Sequence, residues 1–306
     1  MFRSFASLLT SALLILSFAW TAGAVAAGPP TAKQAEVNGV RLDYVEQGSG
    51  SGAPVVLVHG AAHDQRVWEA VREALAQSHR VVTYTQRYFG AAPWLDEGRA
   101  FGAATHADDL AKFIASLNAG RPVHLVGWSY GANVATLVAL NSPHLVASLV
   151  LYEPTLATAL PADSPEAKEA AADRAQAFGP AVAASRAGDQ DQAIHRMVEA
   201  LLRLQGGADR QPEPWRAMWR DNARTLPLAL SAPAPAVSCD ALRGLAKPTL
   251  VVFGAETRSS FRLVAERVHE CIPGAERVIL PGVGHDALHR DPAGFSAAVR
   301  AFVSKR

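Results

Sequence analysis

Gly127-Trp128-Ser129-Tyr130-Gly131 is the stretch on which the reading of this chain turns. The mostly apolar run Val123 to Val126 leads into it and a helix-like run, Ala132 to Leu140, leaves it, which spells strand, sharp turn, helix. A serine at the tip of such a turn has its hydroxyl exposed at the carboxyl end of a sheet, and the flanking glycines supply the small volume and permissive backbone that a strained turn requires. Ser129 is therefore a candidate nucleophile. The bare pattern Gly-x-Ser-x-Gly also arises by chance; the strand before it and the helix after it separate it from coincidence.

Outward from this turn, strand-like and helix-like runs alternate. Toward the amino terminus, Val37-Asn38-Gly39 offers a tight hairpin turn and Val40 to Val45 has apolar residues at every second position, an antiparallel edge. Pro54 to Val58 is a short continuous apolar run, the pattern of a strand buried on both faces, and His59-Gly60-Ala61-Ala62 follows it. A helical period over Asp64 to Gln77, a strand at Arg80 to Tyr84 and a helix over Thr105 to Asn118 lead back to Val123. Beyond the turn, Leu149 to Tyr152 is a strand, Pro248 to Phe253 a buried strand, Phe261 to Cys271 a helix, Arg277 to Leu280 a strand and Pro292 to Val303 a closing helix. The alternation predicts an α/β fold, a mostly parallel central sheet with helices on both faces. Between the Leu149 and Pro248 strands, roughly residues 155–235, only Ala-rich, charged helical stretches occur, which predicts a helical cap above the sheet's carboxyl edge.

The 306 residues are 49% hydrophobic, ample for a large core, and Lys+Arg 29 nearly balances Asp+Glu 28 for a formal charge of +1. No block of like charges points to nucleic acid, so the expected partner is a small molecule without strong charge. At the amino terminus Arg3 is followed by the apolar run Leu8 to Trp20 and by small residues, the form of a secretory signal peptide. Ala24-Val25-Ala26 places the cut after Ala26, with Ala27 as the next choice, leaving residues 27–306 as the mature domain in the periplasm or medium, with no membrane partner. An uncleaved anchor is the alternative. In an oxidising compartment Cys239 and Cys271 can pair; two small buried thiols are the other possibility. The sequence does not specify an oligomeric state.

A serine hydroxyl is a poor nucleophile at neutral pH and needs a base, which needs an acid behind it to fix its tautomer. His285, in Gly282-Val283-Gly284-His285 directly after the last strand, is placed where a loop can return over the carboxyl edge. His289 is its nearest rival, better suited to a surface or capping role, and His59 reads as a structural histidine fixing its loop.

On these residues the chain resembles the α/β-hydrolase family over nearly all of its mature length. The matching residues are His59-Gly60, Trp68, Gly127 to Gly131, and Gly284-His285 followed by Asp291-Pro292. The resemblance implies that the backbone N–H groups of Ala61 and Tyr130 bind the developing oxyanion, each worth about 3 kcal/mol of barrier. Most of the family has an aspartate three residues beyond the glycine of the Pro-Thr-Leu-Val-Val-type strand. Here that glycine is Gly254 and Thr257 stands in the aspartate's place, unable to carry the charge. Two carboxylates could replace it: Glu153, at the end of the strand after the nucleophile's helix, is preferred, and Glu256 is the alternative. Relatives that open alkyl halides or epoxides have an aspartate at the position of Ser129, so acyl transfer to water is expected instead. No His-Glu-x-x-His or Cys-x-x-Cys run calls for a metal, and no cofactor is expected.

The expected function is an exported serine hydrolase acting on a small ester, lactone, thioester or similar carbonyl compound. A cofactor-independent lyase or perhydrolase of the same fold and a non-catalytic ligand binder are the alternatives. Trp215, Met218 and Trp219, at helical spacing in the cap, turn either toward the site or into packing on the sheet, and Gln86 to Trp94, with Arg87, Tyr88 and Phe89, is expected at the entrance.

Overall fold

A computed structural model describes residue 1 and residues 28–117, 121–204 and 206–306. The expected signal peptide and its cleavage site lie outside the described residues, as does Asn118. Eight strands form one sheet: β1 (Thr31–Val37), β2 (Val40–Gln47), β3 (Val55–Val58), β4 (Val81–Tyr84), β5 (Val123–Trp128), β6 (Val146–Tyr152), β7 (Thr249–Gly254) and β8 (Glu276–Leu280). Their spatial order is β1-β2-β4-β3-β5-β6-β7-β8. The β1–β2 and β2–β4 pairs are antiparallel and the other pairs parallel. Asn38 and Gly39, both at positive φ (48° and 73°), form the two-residue turn whose twist suits a hairpin.

The parallel strands are apolar on both faces because both faces are covered. Val55 and Leu57 of β3 and Val126 of β5 face one layer with Trp68, Leu75, Phe295 and Val299. Val56, Val58 and Leu125 face the other with Leu110, Phe113, Val138 and Val268. The first layer carries α1 (Glu69–Ala76) and α11 (Pro292–Val303), and the second α2 (Ala103–Leu117), α3 (Tyr130–Asn141) and α9 (Ser259–Cys271). Short helices α8 (Cys239–Arg243) and α10 (Ala287–Arg290) also lie outside the insertion. Cys239, opening α8, and Cys271, closing α9, are joined as a disulfide with Cα atoms 5.2 Å apart.

Between β6 and β7 lie α4 (Pro165–Arg186), α5 (Gln190–Leu202), α6 (Glu213–Asn222) and α7 (Leu226–Ser231). Ser164 accepts from the Ala167 N–H to start α4, with Pro165 in the first turn where its missing donor costs nothing. These helices meet loops that follow the carboxyl ends of the strands. Asn222 donates to Asp64 (2.8 Å) after β3 and accepts from the Gly90 N–H (2.7 Å) after β4, while Arg203 donates to Glu256 O (2.7 Å) after β7. The insertion therefore lies over that edge of the sheet.

Candidate active site

Ser129 sits between β5 and α3 with φ 55° and ψ −121°, a conformation a residue with a Cβ holds only when its surroundings impose it. Two contacts impose it. The Ser129 N–H donates to Tyr152 O (2.9 Å), and Gly131 lets the first turn of α3 press on the end of β3, where a Cβ would fall 2.3 Å from Val58 O. On the other side of the serine, a Cβ at Gly60 would stand 3.0 Å from Ser129 Cβ, so the loop after β3 passes directly beside the nucleophile candidate.

Two buried histidines hold that loop, and their tautomers follow from their partners. His59 Nε2 accepts from the Gln86 N–H (3.0 Å), so Nδ1 carries the hydrogen and donates to Gly60 O (2.9 Å). That carbonyl belongs to the peptide whose N–H is Ala61's, so His59 fixes its plane. His63 Nε2 accepts from the Trp219 indole N–H of α6 (3.1 Å), and its Nδ1 donates to Ala61 O (2.9 Å). Burial pushes both imidazoles down to about 4, so both are neutral at physiological pH. Asp64 continues the chain of contacts: burial opposes its charge, but the Arg66 guanidinium (2.6 Å) outweighs that and holds the carboxyl below its usual value. At the far side of the serine, the Tyr130 hydroxyl bonds to His106 Nδ1 (2.7 Å), leaving its main chain to open α3.

Glu153 and His285 come together without exposure to solvent. Glu153 Oε2 lies 2.6 Å from His285 Nδ1, with the two side chains 0% and 2% exposed, and a carboxylate acceptor requires the hydrogen on Nδ1. Glu153 follows β6 with φ 44°, which turns its side chain off the alternation of the strand. Its other hydrogen bonds come from the Gly254 N–H (2.9 Å) and the Thr257 hydroxyl (2.8 Å). The preceding residue fixes the histidine's loop: the Tyr152 hydroxyl donates to Gly284 O and accepts from the Ala287 N–H (3.0 Å), bracketing His285. His285 Nε2 is buried and has no hydrogen-bond partner among the described residues. Ser129 Oγ makes no hydrogen bond to it.

Glu256, the alternative acid, is not part of this group. Its side chain is 55% exposed and reaches Arg290 (3.5 Å), because the loop after β7 turns residue 256 outward and residue 257 inward. His289 does not take the surface or capping role expected of it. Its ring is 4.2 Å from that of Trp215 and 5.7 Å from His63, while Asp291 caps α11 by accepting from the Gly294 N–H (2.9 Å). Burial holds His289 well below the usual histidine range. Met218 and Trp219 are buried, and α6 reaches His63 through Trp219 and His289 through Trp215. The Gln86 to Trp94 loop lines a cleft of about 560 Å³ against the β1–β2 hairpin, with Arg87, Phe89 and Trp94 in its wall, and Phe89 also packs against His59 (4.9 Å) and Tyr130 (6.2 Å).

The sequence matches the model of the alpha/beta hydrolase family over residues 55–298. The chain belongs to this family. A probable oxidoreductase, EphD, of Mycobacterium tuberculosis is 34% identical over 95 residues, 31% of this chain and 16% of that protein, so the match spans about a sixth of its length. A pimeloyl-[acyl-carrier protein] methyl ester esterase of Vibrio campbellii is 25% identical over 275 residues, 84% of this chain and 97% of that protein. The crystal structure of the esterase RhEst1 from Rhodococcus sp. ECU1013 superposes with a TM-score of 0.72 at 24% identity, covering 89% of this chain and 98% of that one. It shares the fold.

Within this alpha/beta hydrolase, three contributors escaped the sequence. Thr257 reads as a lost acid, yet its hydroxyl bonds Glu153, the carboxylate beside His285; its place three residues after Gly254 was the available signal. His63 follows the His59-Gly60 pair by only a few residues, but nothing in its neighbours foretells a tryptophan partner 156 residues away. Phe261 lies flat on His285, with ring centroids 4.0 Å apart and planes 3° from parallel, and no local pattern marks it.

Proposed function

We propose that this alpha/beta hydrolase is a serine hydrolase that cleaves a small ester-like carbonyl substrate through an acyl-enzyme on Ser129. The observation that carries it is the buried 2.6 Å contact between Glu153 and His285, which leaves Nε2 unengaged on a ring 5.1 Å from that of Trp128, the residue before Ser129 in the strained turn. In the forward step Ser129 Oγ attacks the carbonyl carbon and its proton passes to His285 Nε2, while Glu153 stabilises the imidazolium through Nδ1–H. The carbonyl oxygen, now negative, is received by the N–H groups of Ala61 and Tyr130, the first held by the His59 bond to Gly60 O. Collapse breaks the bond to the leaving oxygen, which takes the proton from Nε2. Water then repeats the cycle on the acyl-enzyme and frees Ser129. The neutral imidazoles and indoles of His63, His289, Trp215 and Trp219 on the cap side support an uncharged substrate. The esterase named among the relatives supports the same class.

A series of p-nitrophenyl esters of increasing acyl length tests this. Turnover that is abolished in Ser129→Ala is expected; a wild-type rate no higher than that of Ser129→Ala with every ester would refute it. Export is part of the same proposal, supported by the apolar run Leu8 to Trp20 and by the Cys239–Cys271 disulfide, which persists in oxidising compartments. Amino-terminal sequencing of protein from the periplasm or medium should begin at Ala27; recovery from the cytoplasm with an intact terminus would count against export.

A further inference from the structure

Helix α9 starts without a cap of its own. Arg258 stands at the N-cap position and its side chain has no acceptor to offer the free N–H groups of the first turn. The acceptor comes from the insertion: Asp173 of α4 receives the Ser260 N–H (3.3 Å) and the Ser260 hydroxyl (2.5 Å) on Oδ2, and the Arg258 guanidinium (3.2 Å) on Oδ1. Arg258 Nε also donates to Ala200 O of α5 (3.2 Å), so two helices of the insertion grip the first turn of α9.

The next residue is Phe261, and its surroundings differ from those of its own helix. Val264, Ala265 and Val268 join the core behind the sheet. Phe261 belongs to the opposite cluster with Phe178, Met197 and Trp219 of the insertion, and its ring is stacked on His285. Glu153 holds His285 by a single bond at Nδ1, which directs that N–H but lets the ring rock about the same line. The Phe261 ring, at 4.0 Å and parallel, lies closer and flatter on the imidazole than Trp128 at 5.1 Å or Tyr152 at 6.1 Å, and so blocks the rocking and keeps Nε2 on one bearing.

We propose that Phe261 is a positioning residue for His285, and that the Asp173–Ser260–Arg258 contact sets it from the insertion, making the docked cap and the aligned base depend on each other. This rests on His285 acting as the base of the proposed hydrolysis. The test has a readout independent of turnover: the downfield proton resonance of His285 Nδ1–H in ¹⁵N-histidine-labelled full chain, measured beside kcat and KM on a p-nitrophenyl ester. Phe261→Leu keeps an apolar side chain but removes the flat face. It should broaden the resonance and lower kcat about tenfold or more while KM stays within about threefold. Phe261→Tyr should restore both, and Asp173→Asn should move both in the direction of Phe261→Leu. An unchanged resonance and kcat in Phe261→Leu, or equal losses in Leu and Tyr variants, would overturn the proposal. Should Phe261→Leu fail to fold by near-ultraviolet dichroism, Phe261→Tyr against Asp173→Asn decides on the same readouts. A wild type that turns over no ester but loses the resonance in Phe261→Leu would refute the hydrolase assignment and leave the positioning role standing.

Discussion

At Glu153 the carboxylate accepts from a main-chain N–H, a hydroxyl and an imidazole, and each bond has a separable consequence. Glu153→Gln keeps the shape but cannot balance an imidazolium, so kcat should fall on the order of 10³- to 10⁴-fold. Thr257→Val removes a single bond to a charged group, worth about 1.5–3 kcal/mol, and should cost roughly tenfold to a hundredfold in kcat/KM. Equal losses in the two variants, measured by steady-state kinetics, would mean that Thr257 does more than support the carboxylate. The type of residue behind His285 was legible in the sequence, since Thr257 cannot hold the charge and two glutamates were near. Glu153 was the preferred one of the two, but what decides between them was not legible, because it rests on backbone torsions: φ 44° at Glu153 turns that side chain inward, and the loop after β7 turns Glu256 out.

Among the elements, the β5–α3 turn was readable because an apolar run, two glycines and a helical run must occur in that order for it to form. Its tolerance is narrow. Gly131→Ala would set a Cβ against the main-chain oxygens of Val58 and His59, neither of which can rotate away. Stability should drop by more than about 3 kcal/mol, and urea unfolding that shows a loss under 1 kcal/mol would contradict the close approach of α3 to β3. The insertion was legible as helices, but not in its contacts. Amphipathic helices announce that one side is buried without saying against what; the links from Trp219 to His63 and from Asp173 to Ser260 join segments 156 and 87 residues apart.

Over the whole molecule, buried neutral histidines make the fold sensitive to acid. Burial holds His59, His63 and His124 down to about 4 and His106 to about 3. Their values in the unfolded chain are near 6.5, so the unfolded state binds more protons below that pH. The stability they allow is complete about one unit above pH 6.5 and is lost as pH falls toward about 4; because the unfolded imidazoles are only partly protonated near pH 6.5, the loss between pH 6.5 and 5.5 is about 1 kcal/mol for each histidine and roughly 4 for the four. The melting temperature should therefore drop by roughly 10 °C between pH 6.5 and 5.5, and a flat profile by calorimetry would show that these imidazoles are hydrated. The disulfide acts through the unfolded chain instead. Closing a loop between residues 32 apart is worth roughly 3–4 kcal/mol, so Cys239→Ser with Cys271→Ser should unfold at correspondingly lower urea. The layered α/β architecture was readable from the alternation of buried runs and helices; the pairing of two cysteines was not, since it depends on where α8 and α9 end.

The most direct measurement of the proposed triad is the rate at which a fluorophosphonate labels the full chain, followed by intact mass and peptide mapping. Wild type should carry the label on Ser129, Glu153→Gln should react at least about a hundredfold more slowly, and Glu256→Gln at the wild-type rate. No label on the wild type, or a loss confined to Glu256→Gln, would contradict the assignment of Ser129, His285 and Glu153.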